Sequence, residues 1–230
     1  MSNLQENIVP SQNQNAFRVF RQDNNGIRIL FVGNSVTRHG PKPSIEWYRD
    51  CGMAASDIEH DYVHILMRKI HEIHPNAGYC IAQVAEVEQQ YDNPAVLANY
   101  EEAAEFGADI VVLFFGANVP KKKCDLYSEQ VSVFENTYRK MRNLFCKDGA
   151  AVFHVEGFYI RPVLDEVKRK ISKEYGDVFV ELGEIRTREE THGLYNHPND
   201  KGMEAIADCI WKEMEPYINK FDNISKEWKE

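Results

Sequence analysis

The stretch Asp109-Ile110-Val111-Val112-Leu113-Phe114-Phe115 is apolar at every position after its first. An unbroken apolar run of strand length is what a parallel sheet covered on both faces requires of its central strand. Gly116-Ala117-Asn118 follows at once. Working outward, residues 27–32 (Ile-Arg-Ile-Leu-Phe-Val) form a second strand-like run ending at Gly33, and residues 79–84, 150–155 and 178–182 form three more. Helical spacing fills the intervals. Ile58, Tyr62, Ile65, Leu66, Ile70 and Ile73 share one stripe that stops near Pro75, and residues 99–106 read as a short helix closed by Gly107. Val131, Phe134, Tyr138, Met141 and Phe145 recur at steps of three and four before Gly149. Residues 163–175 continue the pattern, and from about Lys201 so do Met203, Ile206, Ile210, Trp211, Met214 and Ile218. Strand and helix in alternation predict a three-layer α/β/α sandwich around a five-stranded parallel sheet. The flavodoxin-like strand order 2-1-3-4-5 is expected by analogy. The expected organisation is an N-terminal extension over 1–25, one domain over 26–220 and a C-terminal tail over 221–230.

Composition narrows the function. The chain has 230 residues, 43% of them hydrophobic, enough for a core without disulfide staples. Its 27 basic and 36 acidic residues leave a net charge of −9, which disfavours nucleic acid and anionic membrane as partners. No segment approaches the roughly 20 apolar residues of a membrane span. Five cysteines are spread along the chain without a CxxC pair. That argues for a reducing compartment and against a disulfide framework or a zinc ribbon. The first 15 residues carry no basic-then-apolar leader pattern, so a cytoplasmic location is expected. No cofactor or metal is expected, the expected partner is a small-molecule ester, and the oligomeric state is left open.

In an open parallel sheet, ligands bind beyond the carboxyl ends of the strands. Three segments fall there: Gly33-Asn34-Ser35-Val36-Thr37, Gly116-Ala117-Asn118, and His197-Pro198-Asn199-Asp200 ahead of the last helix. A serine hydroxyl attacks a carbonyl when a base takes its proton, and a histidine titrates in the right range. The developing oxyanion needs N–H donors, which a backbone amide and an asparagine side chain supply. Ser35, His197 and Asn118 suit these roles. Each also has a plain structural role: Ser35 as a helix cap, Asn118 in an Asx turn, and His197-Pro198 as a helix entrance capped by Asn199 or Asp200. Their joint placement at one sheet edge favours the chemical reading.

These blocks resemble the SGNH (GDSL-like) hydrolase superfamily. Gly33-Asn34-Ser35 matches its serine block, with Asn34 where most members carry aspartate. Gly116-Ala117-Asn118 matches the asparagine block, with Val119 in place of the usual aspartate. His197-Pro198-Asn199-Asp200-Lys201-Gly202 matches the histidine block, and Gly52, in Cys51-Gly52-Met53-Ala54-Ala55-Ser56, stands for the glycine block. The resemblance spans about residues 27–218. It implies a serine esterase with Ser35 as nucleophile, His197 as base, and oxyanion donors from the Ser35 N–H, the Gly52 N–H and the Asn118 side chain. The substrate it implies is a short-chain, most plausibly acetyl, ester on a carbohydrate or similar polar molecule. Leu194 stands where the family places its orienting aspartate. A Ser–His dyad is therefore expected, or a triad whose acid comes from elsewhere, such as Glu190 or Asp200. The rivals are an O-acyltransferase using the same pair, and a flavodoxin-like binding module without catalysis.

Other features are read more plainly. The segment 37–56 holds Arg38, His39, Trp47, Tyr48, Arg49 and Met53. It is long for a loop without periodicity, as functional loops often are. Asn34, Arg38 and Trp47 are the substrate-binding candidates, and a packed Ω-loop is the equal alternative. His60, His64, His71 and His74 share one predicted helix but lack the HExxH pattern, so a solvated face is expected rather than a metal site. Lys121-Lys122-Lys123 reads as an exposed turn with a lesser chance of steering an anionic substrate. No Walker A pattern is present, and the charged end from Ser225 to Glu230 reads as a tail.

Overall fold

The structure is a computed structural model and describes residues 18–121, 128–146 and 149–227. Lys122, Lys123, Cys124 and the last three residues lie outside the described residues. Among the described residues six strands form one sheet: β1 (Val19–Gln22), β2 (Arg28–Gly33), β3 (Gly78–Gln83), β4 (Ile110–Phe114), β5 (Ala151–Val155) and β6 (Val178–Val180). The order is β1-β3-β2-β4-β5-β6. The expected five-stranded sheet in order 2-1-3-4-5 is thus corrected by one strand. β2 to β6 run parallel, whereas β1 pairs antiparallel with β3, Val19 opposite Ala82. The sequence hid β1 because only Val19 of its four residues is buried, which leaves no alternation to read.

Among the described residues six α-helices flank the sheet: α1 (Tyr62–Ile73), α2 (Ala85–Gln89), α3 (Glu101–Glu105), α4 (Ser128–Phe145), α5 (Pro162–Tyr175) and α6 (Asp200–Glu227). Strand alternation divides their burden. Ile29 and Phe31 of β2 face one side with Leu66 and Ile70 of α1 and Ile206, Ile210 and Met214 of α6. Leu30 and Val32 face the other, with Phe134, Tyr138 and Met141 of α4 and Val167 and Ile171 of α5. Both faces of the central strands are covered, which is why their sequences are apolar throughout. None of the described helices is long and apolar enough to cross a membrane.

The register aligns the carboxyl ends that matter. Gly33 lies opposite both Gln83 of β3 and Phe114 of β4, so the segments carrying Ser35 and Asn118 leave the sheet side by side. Gly33 permits a tight exit: a Cβ there would stand 1.8 Å from Thr37 Oγ1. The chain then turns at once, with the Thr37 and Arg38 N–H groups donating to the Asn34 carbonyl at 2.9 and 3.0 Å.

Candidate active site

Ser35 Oγ lies 2.8 Å from His197 Nε2, across 162 residues of sequence. The other ring nitrogen, Nδ1, faces the Tyr195 carbonyl at 3.1 Å. A carbonyl only accepts, so Nδ1 carries the proton, Nε2 is the acceptor and the Ser35 hydroxyl donates to it. Burial lowers the His197 pKa and nearby His39 adds to this, while the Tyr195 carbonyl pulls the other way. The net direction keeps the ring neutral at pH 7, the form able to take a proton. Among the described residues no carboxylate bonds to the His197 ring: Leu194 is exposed, and Asp200 accepts from the Ser56 N–H at 2.7 Å.

The turn that aims His197 is strained. Tyr195 and Asn196 both adopt the left-handed region, with φ of 52° and 62°, at a cost of roughly 1–2 kcal/mol for Tyr195 and less for Asn196, since asparagine tolerates that region. The Gly193 N–H donates to the His197 carbonyl at 2.7 Å, closing the turn. Tyr159 packs edge-on against the His197 ring, centroids 5.8 Å apart.

Behind Ser35 stands Glu88, 1% exposed, on α2. Its carboxylate accepts from the Asn34 side-chain amide at 2.9 Å, from the Gly116 N–H and from the Asn118 side-chain amide. One carboxylate therefore ties the serine segment to the asparagine segment. Burial raises the Glu88 pKa, and its three donors oppose that rise. Asn118 spends one amide hydrogen on Glu88 and keeps a second, and its side chain lines a cavity of about 520 Å³ together with Ser35, Met53, Tyr159 and His197. The Ser35 N–H makes no hydrogen bond to any of the described residues.

The remaining candidates do not gather here. Gly52, expected as an oxyanion donor, has its buried N–H donating to Asp61 Oδ2 at 3.1 Å. It is a glycine for packing, since a Cβ would stand 2.6 Å from the Val36 carbonyl oxygen and 2.7 Å from Met203 Cε. Arg38 is buried in a two-pronged contact with Asp50, at 2.9 and 2.6 Å, and borders a separate small cavity with Phe20 and His64. Trp47 is 1% exposed, donates to the His39 carbonyl at 2.9 Å, and borders a cavity other than that of Ser35. Asn34 is buried, with both ends of its amide spent on Glu88 and the Val36 N–H. Residues 37–56 are thus largely a packed loop, although His39, Lys42 and Met53 reach the Ser35 cleft.

The four histidines expected on one helix do not share it, since His60 ends a short 3₁₀ turn (Ile58–His60) ahead of α1 and His74 caps its end, and each has its own partner. His60 meets Asp57, His71 the Ala77 carbonyl and His74 the Ile218 carbonyl. His64 sits between Asp61 and the Tyr79 hydroxyl and is half-buried, which corrects the expectation of a solvated face at that residue. Among the described residues no three potential metal ligands stand together. Sequence reasoning missed Glu88. Its only signal was position: an acid in the first turn after the carboxyl end of β3, the sheet edge where ligands bind.

Comparison with protein-family models gives no match for this sequence, nor does comparison with curated proteins. Solved structures do match. An acetylxylan esterase from Geobacillus stearothermophilus superposes with a TM-score of 0.54 at 16% identity, covering 83% of this chain and 95% of that one. A two-domain esterase active on acetylated mannans gives a TM-score of 0.58 at 19% identity over 84% of this chain and 50% of that one. A family two carbohydrate esterase from Clostridium thermocellum gives 0.54 at 14% identity over 86% and 66%. At these identities the likeness is one of fold. The chain has the SGNH-hydrolase fold of the GDSL-like lipases and acetylxylan esterases.

Proposed function

We propose that this protein is a serine esterase that removes an acetyl or similarly short acyl group from an oxygen of a carbohydrate. The observation that carries the reading is the 2.8 Å contact between Ser35 Oγ and His197 Nε2 at the wall of the cleft, in a fold shared with acetylxylan and acetylmannan esterases.

Ser35 Oγ attacks the ester carbonyl carbon while its proton passes to His197 Nε2. The oxyanion of the tetrahedral intermediate accepts from the Ser35 N–H and the second Asn118 amide hydrogen. Collapse breaks the bond to the sugar oxygen, which takes the proton from His197 and leaves as the alcohol. The acetyl group remains on Ser35. Water then attacks the acyl-serine, again giving its proton to His197, and acetate departs as Ser35 regains its hydrogen. The Tyr195 carbonyl plays the part that an acid plays in a triad: it fixes the tautomer and the ring orientation. It brings no full negative charge to stabilise the imidazolium.

Hydrolysis of p-nitrophenyl acetate and of acetylated xylo- and manno-oligosaccharides tests the reading. Wild type releases acetate, and Ser35→Ala and His197→Ala each lose at least about a thousandfold in kcat. A fluorophosphonate labels wild type and leaves Ser35→Ala unlabelled. Undiminished hydrolysis by Ser35→Ala overturns the proposal.

A further inference from the structure

The charge on the cleft wall runs against the charge of the molecule. The chain carries a net charge of −9, yet among the described residues the cavity holding Ser35 and His197 is lined by Lys42, Lys121 and Arg161 and by no carboxylate. Glu88 stands close behind, but its oxygens are taken up by Asn34, Gly116 and Asn118. Arg161 is buried and donates to the Val119 carbonyl at 2.8 Å, bracing the Asn118 segment. Lys42 and Lys121 are exposed, and neither ammonium meets a carboxylate among the described residues. Elsewhere on the surface lysines do find acids: Lys69 pairs with Asp208 and Lys170 with Glu135.

The cationic surface extends past the cleft. A second cavity of about 410 Å³ shares His39, Lys42 and Gln83 with the first. Its one acid, Glu86, is held by Arg18 at 2.7 Å. Lys42 therefore borders both cavities. A low-dielectric groove carrying one sign of charge concentrates the opposite sign, and an ammonium binds carboxylate, phosphate or sulfate as a point charge.

From this we infer that the ester substrate is anionic: an acylated carbohydrate carrying a carboxylate, phosphate or sulfate close to the acyl group, held by Lys42 and Lys121. The inference rests on the esterase reading for its chemistry and goes beyond it in substrate class. None of the lysines takes part in bond making; they set which ester is seated against Ser35.

The test is a ratio measured on the full chain. kcat/KM is determined for an acetylated neutral xylo-oligosaccharide and for acetylated oligosaccharides of the same length bearing a uronic acid, a phosphate or a sulfate. Wild type is expected to favour at least one acidic series by about tenfold or more at low ionic strength, falling toward one in 0.5 M salt. Lys42→Gln/Lys121→Gln brings the ratio near one. A ratio near or below one in wild type for all three series, or one that survives the double substitution, overturns the inference. Calorimetry on Ser35→Ala with the acetyl-free oligosaccharides separates the two proposals. Tighter binding of an acidic than of the neutral oligosaccharide, lost in the double variant, upholds the anionic site even where no ester is hydrolysed. Equal turnover of neutral and acidic esters leaves the esterase standing and removes the anionic site.

Discussion

At the residue scale, Asn118 and Glu88 work as a couple. Asn118→Ala removes the proposed oxyanion donor and is expected to lower kcat on an acetyl ester by about 10²–10³ with little change in KM, as steady-state kinetics will show. Glu88→Gln replaces an acceptor-only carboxylate with a side chain whose NH₂ must face a donor, either on the Asn34 and Gly116 side or at Asn118. One buried clash of donors costs about 1–3 kcal/mol. A lower melting temperature together with at least a tenfold drop in kcat is expected, because the mismatch lies between the two segments of the site. His197 sets the pH response. Its pKa is lowered chiefly by burial, and only the neutral ring accepts the Ser35 proton. Activity is therefore lost as pH falls through a value below the ordinary histidine figure of about 6.5. A kcat/KM profile whose acid limb has its midpoint above that figure contradicts the assignment.

At the element scale, the short turn ahead of α6 decides whether the histidine is a base or a bystander. Two successive left-handed residues point the Tyr195 carbonyl at Nδ1. Strain of this kind persists only where surrounding bonds over-determine it, and here the bond from Gly193 to His197 closes the turn. Proline fixes φ near −65°, opposite in sign to the 62° of Asn196. Asn196 is exposed, so Asn196→Pro disturbs the turn without disturbing the core. It is expected to lower kcat at least a hundredfold, as an imidazole without its orienting partner does, with far-UV circular dichroism unchanged. Leu194→Asn, by contrast, leaves activity within about threefold, because support comes from main chain and the Leu194 side chain is exposed.

At the scale of the molecule, a buried charge network ties the chain beyond the carboxyl ends of β5 and β6 to α5. Arg186 reaches Glu156 and, at 2.7 Å, Asp165. Glu156 accepts from the Leu182 and Gly183 N–H groups, and Asp165 from Gly157 N–H and Lys168. Removing one member strands the others, at a cost of about 3–5 kcal/mol. Arg186→Met is expected to lower the melting temperature by about 10 °C, followed by calorimetry. A shift under about 2 °C shows that the network stabilises far less than its burial implies.

Periodicity and position by themselves determined the layered α/β architecture, the five parallel strands and the edge at which Ser35, Asn118 and His197 stand. Burial on both faces forces apolar runs, and a helix on a sheet forces a stripe, so both are written locally. β1, with one buried residue of four, and the five-residue α2 were not legible. Nor were the fates of Gly52, Arg38 and Trp47, for a type of side chain does not say which neighbour will claim its hydrogen bonds. Glu88 and the Tyr195 carbonyl belong to the same class. A buried carboxylate linking three remote donors, and a backbone oxygen standing where an acid is expected, exist only once the chain has closed on itself, because hydrogen-bond geometry depends on distances in space that sequence spacing does not fix.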